Sequence, residues 1–428
     1  MKILFVTYIF PPFNAIGAVR TGKTAKYLIE SGHDVKVLSC ADQSLANNLS
    51  LEIPEKNIEY TPWLNVNSPI ETFLGGKEKV AAKGFLPSSR HLPSWLRKMG
   101  FHYRNLINFP DGQIGWYPFA MKAGDRIIRK WFPDLIFASA SPFTTLLVAS
   151  SLSKKHNIPW VAELRDLWSD NHNYIGPTWR KFLERALEVR TLKSACGLVT
   201  VSEPLKEILE KKYSIPCKVV TNGFDPQDTP NSQSIPFSNG IIRIVYTGQF
   251  YSNEQDPSTL FKAIQQMGIK SEKIRIYFYG RHLSFARQIA IQHNVSHLIQ
   301  IHESVSHKES LSLQAGSDIL LLLPGQSPAW KGVYTGKLFE YLGARRPILC
   351  IGNTNGVAAN LIRERRVGVV LNELEQISLQ LQQWVKEKNE NGEIPFLPSD
   401  VGKGFTRKEK TEMLIEFFET CLKNPVST

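Results

Sequence analysis

A lysine and a glutamate stand three residues apart in a segment that reads as the start of a helix, after a loop that ends at Tyr334. The helix begins near Thr335 and Gly336, so its unpaired backbone N–H groups and the positive end of its dipole favour a phosphate. Lys337 adds a full positive charge there, and Glu340 shares a helix face with it. A carboxylate one turn beyond a diphosphate can accept hydrogen bonds from ribose hydroxyls. The segment therefore predicts a nucleotide-sugar site. The alternative is a surface ion pair beside a packed apolar face.

Three loops that follow other predicted strands add candidate contacts to the same ligand. Gly248 and Gln249 follow an apolar run at 241–247, and a glycine there lets a diphosphate approach the backbone. Arg281 follows the next strand and is a candidate for neutralising phosphate, or else a solvated loop cation. The loop around Val305 is predicted to hold a base through backbone groups. The histidines beside it show no zinc-binding spacing.

The first half of the chain carries candidates for chemistry on the acceptor side. Arg165 and Asp166 leave a buried apolar strand at its carboxyl edge, where active sites of parallel sheets lie. A charged pair at that edge loses hydration unless it is paired or used in chemistry. We therefore predict catalytic roles for Arg165 and Asp166, with Asp166 as the first candidate. The alternative is a structural network that braces Trp168.

Two other segments of the first half are candidate acceptor contacts. The loop after the first strand contains two prolines and then Gly17 and Ala18, and Arg20 follows in the first helical turn. A first βα loop lies at the mouth of a parallel sheet, so contact with substrate is expected. Its glycines do not fit the dinucleotide-binding fingerprint. Asp111 lies in a turn-rich segment and is a further candidate, against the alternative of a loop packed on Trp116.

These residues need two parallel sheets to position them. Apolar runs that read as strands alternate with helical patterns in both halves, which predicts an α/β fold of two Rossmann-like doubly wound domains that face each other across an inter-domain cleft. The expected domains are 1–221 for the acceptor and 241–404 for the nucleotide sugar, with a linker at 222–240. A last helix is predicted within 405–428. Strands are predicted at 2–7, 34–39, 135–138, 160–163, 197–201, 241–247, 274–279, 299–302, 319–323, 347–351 and 368–371.

Composition narrows the class of protein. The chain has 428 residues, of which 42% are hydrophobic, enough for two cores, and no apolar run approaches the roughly 20 residues of a membrane helix. The apolar N-terminus reads as a buried strand and not as a signal peptide. Five scattered cysteines fit a reducing cytoplasm and give no metal signature.

The net charge of +12 implies an anionic partner. Residues 79–110 contain six basic and no acidic residues, interleaved with aromatic side chains, which is typical of a patch that binds an anionic membrane surface. The alternative is a loop with solvated charges. No nucleic-acid-binding motif accompanies the charge, so nucleic acid is not expected as a partner.

With these residues in view, the chain resembles the retaining nucleotide-sugar glycosyltransferases of the two-Rossmann-domain (GT-B) type, in particular family 4. The order and spacing of several motifs along nearly the whole chain carry the resemblance. They are Pro11-Pro12 with Gly17-Ala18-Val19-Arg20, then Gly32-His33-Asp34-Val35, Arg165-Asp166-Leu167-Trp168, Asn222-Gly223-Phe224-Asp225 and Gly336-Lys337-Leu338-Phe339-Glu340-Tyr341-Leu342. The Arg-Asp-Leu-Trp segment is similar to transferases of surface-polysaccharide and lipid-linked oligosaccharide assembly.

The sequence also departs from the family pattern. The family's E-x7-E pair would begin at position 332, where this chain has glycine, so only Glu340 corresponds. Residues 249–254 lack the usual Arg and Lys of the phosphate loop, which leaves Lys337 and Arg281 to supply positive charge. Many members have a histidine where Arg165 and Asp166 stand.

The resemblance implies transfer of a sugar, with retention, from a nucleoside-diphosphate sugar to a glycan or lipid-linked acceptor. UDP is the expected nucleotide of the donor, and no cofactor or metal requirement is expected. It also implies that the last helix, within 405–428, crosses back to the first domain, and that the enzyme is cytoplasmic and lies at the inner face of the membrane. Two alternatives stay open at this point: a GT-B-like sugar-nucleotide epimerase or phosphorylase, and a non-enzymatic protein that binds polyanions or membranes.

Overall fold

The computed structural model describes residues 1–67 (except 42 and 44), 103, 105–171, 174, 176–228, 240–250 and 255–423. Residues 172, 173 and 175, on either side of Tyr174, are also outside it, as is most of the basic aromatic segment 79–110. The chain divides into two compact units, one of residues 1–220 with 411–428 and one of residues 221–410.

The first unit is built on a parallel sheet of seven strands within the described residues, in the order β3-β2-β1-β4-β5-β6-β7. Its strands are β1 (Lys2–Thr7), β2 (Asp34–Cys40), β3 (Ile58–Thr61), β4 (Leu135–Ala140), β5 (Trp160–Leu164), β6 (Gly197–Thr200) and β7 (Cys217–Val219). Its helices are α1 (Ile16–Glu30), α2 (Tyr117–Trp131), α3 (Thr144–His156), α4 (Thr178–Leu192) and α5 (Glu203–Tyr213), with 3-10 turns at Glu55–Asn57 and Ile114–Trp116.

The second unit repeats this plan with six described parallel strands in the order β10-β9-β8-β11-β12-β13. They are β8 (Ile242–Thr247), β9 (Ile274–Tyr279), β10 (Ile299–His302), β11 (Ile319–Leu322), β12 (Ile348–Cys350) and β13 (Gly368–Val370). The helices are α6 (Ser258–Met267), α7 (Ser284–Gln292), α8 (His307–Ala315), α9 (Gly336–Ala344), α10 (Val357–Arg365) and α11 (Leu374–Asn391), and α12 (Arg407–Lys423) follows. Short 3-10 segments lie at Gly268–Lys273, Ser296–Leu298, Pro328–Trp330 and Ser399–Gly402.

Strands β1 and β4 are buried on both faces, as expected for parallel strands covered by helices, so their sequences are nearly continuous apolar runs. In each sheet the strand order reverses direction next to the first strand, between β1 and β4 and between β8 and β11. Two Rossmann-like domains are therefore present, as predicted. In open parallel sheets, ligands bind at the carboxyl ends of the strands beside such a reversal.

The last helix spans the sequence boundary between the two units. It begins at Arg407, in the second unit, and its residues from 411 onward group with the first unit. Phe417 and Phe418 join the apolar cluster of β1, β2 and β4, and the rings of Phe418 and Phe137 lie 5.0 Å apart. The start of the predicted linker is also structured. Phe224 exchanges backbone hydrogen bonds with residues 405 and 407, so this stretch is part of the second unit.

No described helix combines the length and the apolar character needed to cross a bilayer.

Candidate active site

The amino end of α9 meets the carboxyl end of β8 through Lys337. The Nζ of Lys337 donates a hydrogen bond to the hydroxyl of Tyr246 at 2.6 Å, and the Tyr246 hydroxyl in turn donates to the carbonyl of Gln249 at 3.2 Å. The aliphatic stem of Lys337 passes over Gly248, where a Cβ would lie only 2.4 Å from Cε. Burial lowers the pKa of Lys337 to about 7, against the opposing charge of Glu340. The surroundings of Lys337 therefore supply too little negative charge to keep its amino group protonated above neutral pH.

Glycine is required twice where β8 and β9 end. Gly248 has a φ of +116°, in the region that side chains rarely adopt, and its N–H donates to the carbonyl of Tyr279 at 2.7 Å. A Cβ on Gly280 would lie 1.9 Å from the carbonyl oxygen of Gly248. The two loops are therefore packed in direct backbone contact, and the backbone of Gly248 lies against the side chain of Lys337.

The first turn of α9 has polar groups that no described residue satisfies. Thr335 occupies the N-cap position with extended backbone, yet its side chain does not cap the helix. Its buried hydroxyl has no hydrogen-bond partner within the described part of the chain. Helix α9 also has no acidic residue in its first turn. An N-terminus with free donors and a cation beside it can bind an anion such as a phosphate.

Glu340 lies one turn further along α9 and is held at both carboxylate oxygens. Oε1 lies 3.1 Å from Nε2 of His307, and Oε2 accepts a 2.9 Å hydrogen bond from Nε2 of Gln314. Gln314 is fully buried in α8 and donates as well to the hydroxyl of Thr247 at 3.0 Å. Because Lys337 and Glu340 each engage other partners, they do not form the simple surface pair that was the alternative reading of this helix.

Glu340 and His307 each stabilise the charged form of the other. Burial would raise the pKa of Glu340, but hydrogen bonds from His307 and Gln314 and the charges of His307 and Arg407 lower it below its usual range. Burial would lower the pKa of His307, but its hydrogen bond and charge interaction with Glu340 raise it. Glu340 is therefore a fixed carboxylate near neutral pH, with 27% of its side chain exposed to receive a ligand.

The other predicted donor residues lie on loops at the same sheet edge. Arg281 is exposed and its Nε donates to Ser304 at 3.3 Å. Val305 is half-buried, one residue before Ser306, whose hydroxyl caps α8. Tyr334 packs edge-on against Phe339 with ring centroids 5.4 Å apart. Residues 251–254 of the phosphate loop lie outside the described residues.

In the first unit, Arg165 and Gly17 are in close contact. Arg165 donates to the carbonyl of Ala140 at 2.7 Å and to that of Ser141 at 3.0 Å, which leaves Nη1 directed toward α1. A Cβ on Gly17 would lie 2.4 Å from that Nη1, so glycine is required for the arginine to reach this position. Burial lowers the pKa of Arg165, while Glu163 and Asp166 oppose the shift. Asp166 is exposed just beyond the carboxyl end of β5, and its catalytic role stays a prediction.

Arg20, predicted as an acceptor contact, lies instead inside the first unit. It is 4% exposed and forms a 2.6 Å ion pair with Glu163, while the same Nη2 donates to the carbonyl of Val220 at 2.8 Å. Ser139 donates to the other oxygen of Glu163 at 2.5 Å. Burial would raise the pKa of Glu163, but the charge and the hydrogen bond of Arg20 outweigh burial and lower the pKa below its usual range. The pair fixes α1 and its glycine loop to the carboxyl end of β5.

Asp111, the other predicted acceptor contact, stabilises the start of α3. It accepts hydrogen bonds from the backbone N–H of Thr144 at 2.8 Å and from the Thr144 hydroxyl at 2.6 Å. Burial raises its pKa, although Thr144 and the N–H of Gln113 oppose the shift. These bonds resemble an N-cap supplied from another segment. They favour the structural alternative. Ala18, also predicted as an acceptor contact, is fully buried in the first turn of α1.

Sequence reasoning missed three residues that define the site. Tyr246 is a fully buried strand residue that reads as core, and Gln314 is a fully buried amide in a helix with no apolar stripe. His307 was visible but carried no weight as an isolated histidine. Only the tertiary pairing of α8 with α9 reveals these roles, and no spacing in the sequence encodes that pairing.

Residues 17–228 match the family model described as Glycosyltransferase Family 4. No curated protein sequence is detectably similar to the chain.

Several solved structures share the whole fold at low sequence identity. A glycosyltransferase from Rickettsia africae ESF-5 is 15% identical, with 99% of this chain and 98% of that chain covered and a TM-score of 0.60. HepE from Anabaena in complex with UDP is 14% identical, with 98% and 100% covered and a TM-score of 0.60. WaaG, a glycosyltransferase involved in lipopolysaccharide biosynthesis, is 14% identical, with 98% and 95% covered and a TM-score of 0.53.

The two parallel sheets, the lysine and glutamate at the head of α9, the family match and the shared fold lead to one conclusion. The chain is a glycosyltransferase with the GT-B fold, and its residues 17–228 match the model of glycosyltransferase family 4.

Proposed function

We propose that the enzyme transfers a sugar, with retention of configuration, from a nucleoside-diphosphate sugar to a glycan or lipid-linked acceptor in cell-surface polysaccharide synthesis. The observation that carries the proposal is the arrangement of Lys337 and Glu340 on α9. The lysine and the free first turn receive the diphosphate, and the carboxylate held by His307 and Gln314 accepts from the ribose hydroxyls.

The relatives support UDP as the nucleotide. HepE from Anabaena was solved with UDP, with UDP and glucose, and with UDP-glucose, and the pneumococcal transferase GtfA was solved with UDP and GlcNAc. The lipopolysaccharide transferases WaaG and WaaB share the fold, which supports a precursor of a cell-surface glycan as the acceptor.

The chemistry of transfer rests on charge stabilisation in the second unit. Departure of the nucleoside diphosphate places negative charge on the β-phosphate, which Lys337 and the N–H groups of the α9 turn stabilise. The acceptor hydroxyl attacks the anomeric carbon on the face that the diphosphate leaves. Attack on that face retains the configuration. Asp166 orients the acceptor hydroxyl, whose proton passes either to a phosphate oxygen of the leaving diphosphate or to Asp166 itself, and Arg165 positions the loop of Gly17.

The proposal includes two further expectations. Protein cations replace a metal ion at the diphosphate, so a chelator should leave transfer unchanged. Attachment to the inner face of the membrane through residues 79–110 stays a prediction, because that segment lies almost wholly outside the described residues.

The decisive experiment is thermal stabilisation by UDP-, GDP-, dTDP- and ADP-sugars, because a ligand that binds the folded state raises the melting temperature by mass action. We expect one base to give the largest shift, and Lys337→Ala and Glu340→Gln to abolish it. Lys331→Ala and Glu309→Gln, which alter exposed residues of the same unit, are the matched controls.

Product analysis then separates the candidate reactions. Transfer that requires an added acceptor supports the proposal. Formation of a sugar phosphate from a glycan and added inorganic phosphate would instead favour a phosphorylase, and formation of an epimer without any acceptor would favour an epimerase. If no nucleotide sugar stabilises the wild type, the proposed donor site is wrong.

A further inference from the structure

Helix α4 of the first unit buries its acidic residues and exposes part of its apolar ones. Its two acidic residues are inside, with Glu184 at 3% and Glu188 at 1% exposure. Leu187, Val189 and Leu192 pack on the core, but three large apolar residues are outside, with Trp179 at 41%, Phe182 at 73% and Leu183 at 48% exposure. Helices that pack on a sheet normally present the opposite arrangement.

The buried acids of α4 are firmly paired, so the orientation of the helix is fixed. Glu184 accepts a 2.6 Å hydrogen bond from Arg180, which also donates to Asn105 and Pro110. Glu188 accepts from Lys212 at 2.8 Å and from the backbone and hydroxyl of Ser169. Rotation of α4 to hide its aromatic side chains would expose these pairs and leave their partners unsatisfied.

The exposed side of α4 forms a continuous stripe. Trp179, Phe182, Leu183 and Ala186 follow the spacing i, i+3, i+4 and i+7, which places them on one helical face. Isolated apolar residues on a surface are common and need no explanation, whereas an ordered stripe indicates an interaction surface.

The charges around the stripe identify its partner. The exposed ionisable residues of α4 are all basic, namely Lys181, Arg185 and Arg190. A symmetric contact between two copies would bring these cations together with no acid on the helix to pair them. An anionic phospholipid surface fits both features, because aromatic and aliphatic side chains enter the headgroup region while basic residues contact the phosphates.

We infer that α4 is a membrane-docking helix that lies along an anionic bilayer, with Trp179, Phe182 and Leu183 inserted and Arg185 and Arg190 at the headgroups. This surface is separate from residues 79–110 and does not depend on the nucleotide site. Together with the attachment proposed for residues 79–110, it would give two linked contacts, which bind more tightly than either alone.

The test is sedimentation of the full chain with vesicles of phosphatidylcholine alone and of phosphatidylcholine mixed with phosphatidylglycerol. We expect binding to the mixed vesicles only, weakened by salt. The double variant Trp179→Ser/Phe182→Ser should lose at least about tenfold in partitioning, and Arg185→Ala should lose about fivefold. Phe132→Ser is the matched control, because this ring is 71% exposed in the same unit and is not part of α4.

Two further measurements keep the test specific. The double variant should keep the melting temperature and the nucleotide binding of the wild type, which excludes unfolding as the cause of lost sedimentation. Equal binding by the double variant and the wild type would overturn the inference and assign the membrane contact to another segment. The inference would also be overturned if the wild type does not bind anionic vesicles and self-associates while the double variant is monomeric. That result would assign the face to self-association.

Discussion

The side-chain amide of Gln314 donates to Oε2 of Glu340 at 2.9 Å, and this contact joins a fully buried residue of α8 to the carboxylate at the proposed ribose site. His307, seven residues earlier on the same helix, contacts the other oxygen. The proposed ribose acceptor on α9 is thus oriented by α8 before any ligand arrives. Such preorganisation lowers the ordering cost of binding.

Gln314→Leu should weaken donor binding while leaving the fold intact. The substitution keeps the approximate volume of the side chain but removes a hydrogen bond to a charged group, which is worth about 1.5–3 kcal/mol, or roughly tenfold to a hundredfold in affinity. Calorimetric titration with the donor nucleotide measures the change. Gln288→Leu, at an exposed position on α7, is the control. Unchanged affinity in Gln314→Leu would show that Glu340 needs no support from α8.

His307→Gln should reduce stability in a pH-dependent way. The pKa of His307 is raised in the folded protein, so its interaction with Glu340 stabilises fully below the unfolded value of about 6.5 and is lost as pH rises through the folded pKa. The difference in melting temperature between wild type and variant should therefore be largest below pH 6.5 and shrink above it. Melting curves across that range measure this, and a difference that grows toward alkaline pH would contradict the assignment.

Donor binding should take up a proton at Lys337. Burial lowers the pKa of this lysine to about 7 in the free protein, and a bound diphosphate favours the charged form. Above pH 7 the dissociation constant of the nucleotide should therefore rise by up to about tenfold per pH unit. Titration in buffers of different ionisation enthalpy reports the proton directly.

Lys337→Arg provides the matched comparison, because a guanidinium stays charged throughout this range. Its affinity is expected to be lower, since the planar group does not reproduce the contact with Tyr246, but flat between pH 7 and 9. The same pH dependence in both proteins would assign the proton to another group.

Arg20→Met distinguishes a structural from an acceptor-binding role for Arg20. If the buried pair with Glu163 is structural, the variant leaves an uncompensated carboxylate and loses about 3–5 kcal/mol from the first unit. Calorimetry should then show the first unit melting at a lower temperature than in the wild type. Adding Glu163→Gln should recover part of the loss. A variant with the wild-type melting curve but a raised KM for the acceptor would restore the role expected from the sequence.

Much of the fold could be predicted because parallel strands covered on both faces have a simple signature. The runs at 2–7, 274–279 and 299–302 coincide with β1, β9 and β10, and the other predicted strands end within two residues of those observed. Strands β3 and β7 and helices α2, α5, α8 and α11 were not assigned. Strand β7 spans only three residues, and α8 is polar on most of its surface, so neither has a clear periodic pattern.

The site was predictable only in part. Lys337 and Glu340 were found because helix spacing places them on one face, which is a local property. Their partners Tyr246, His307 and Gln314 come from β8 and α8, and these contacts are set by the sheet order. Arg20 was assigned to the ligand because it follows the glycine loop, but its charge is required by Glu163, which is 143 residues away in sequence.

The grouping of residues 411–428 with residues 1–220 has a consequence for synthesis on the ribosome. Phe417 and Phe418 complete the apolar cluster around Phe5 and Phe137, so the first unit cannot finish its core until these two residues have been translated. The second unit, by contrast, is contiguous in sequence. Nascent chains that end near residue 220 should therefore expose this cluster and recruit chaperones, and the first unit should complete its folding only when α12 arrives.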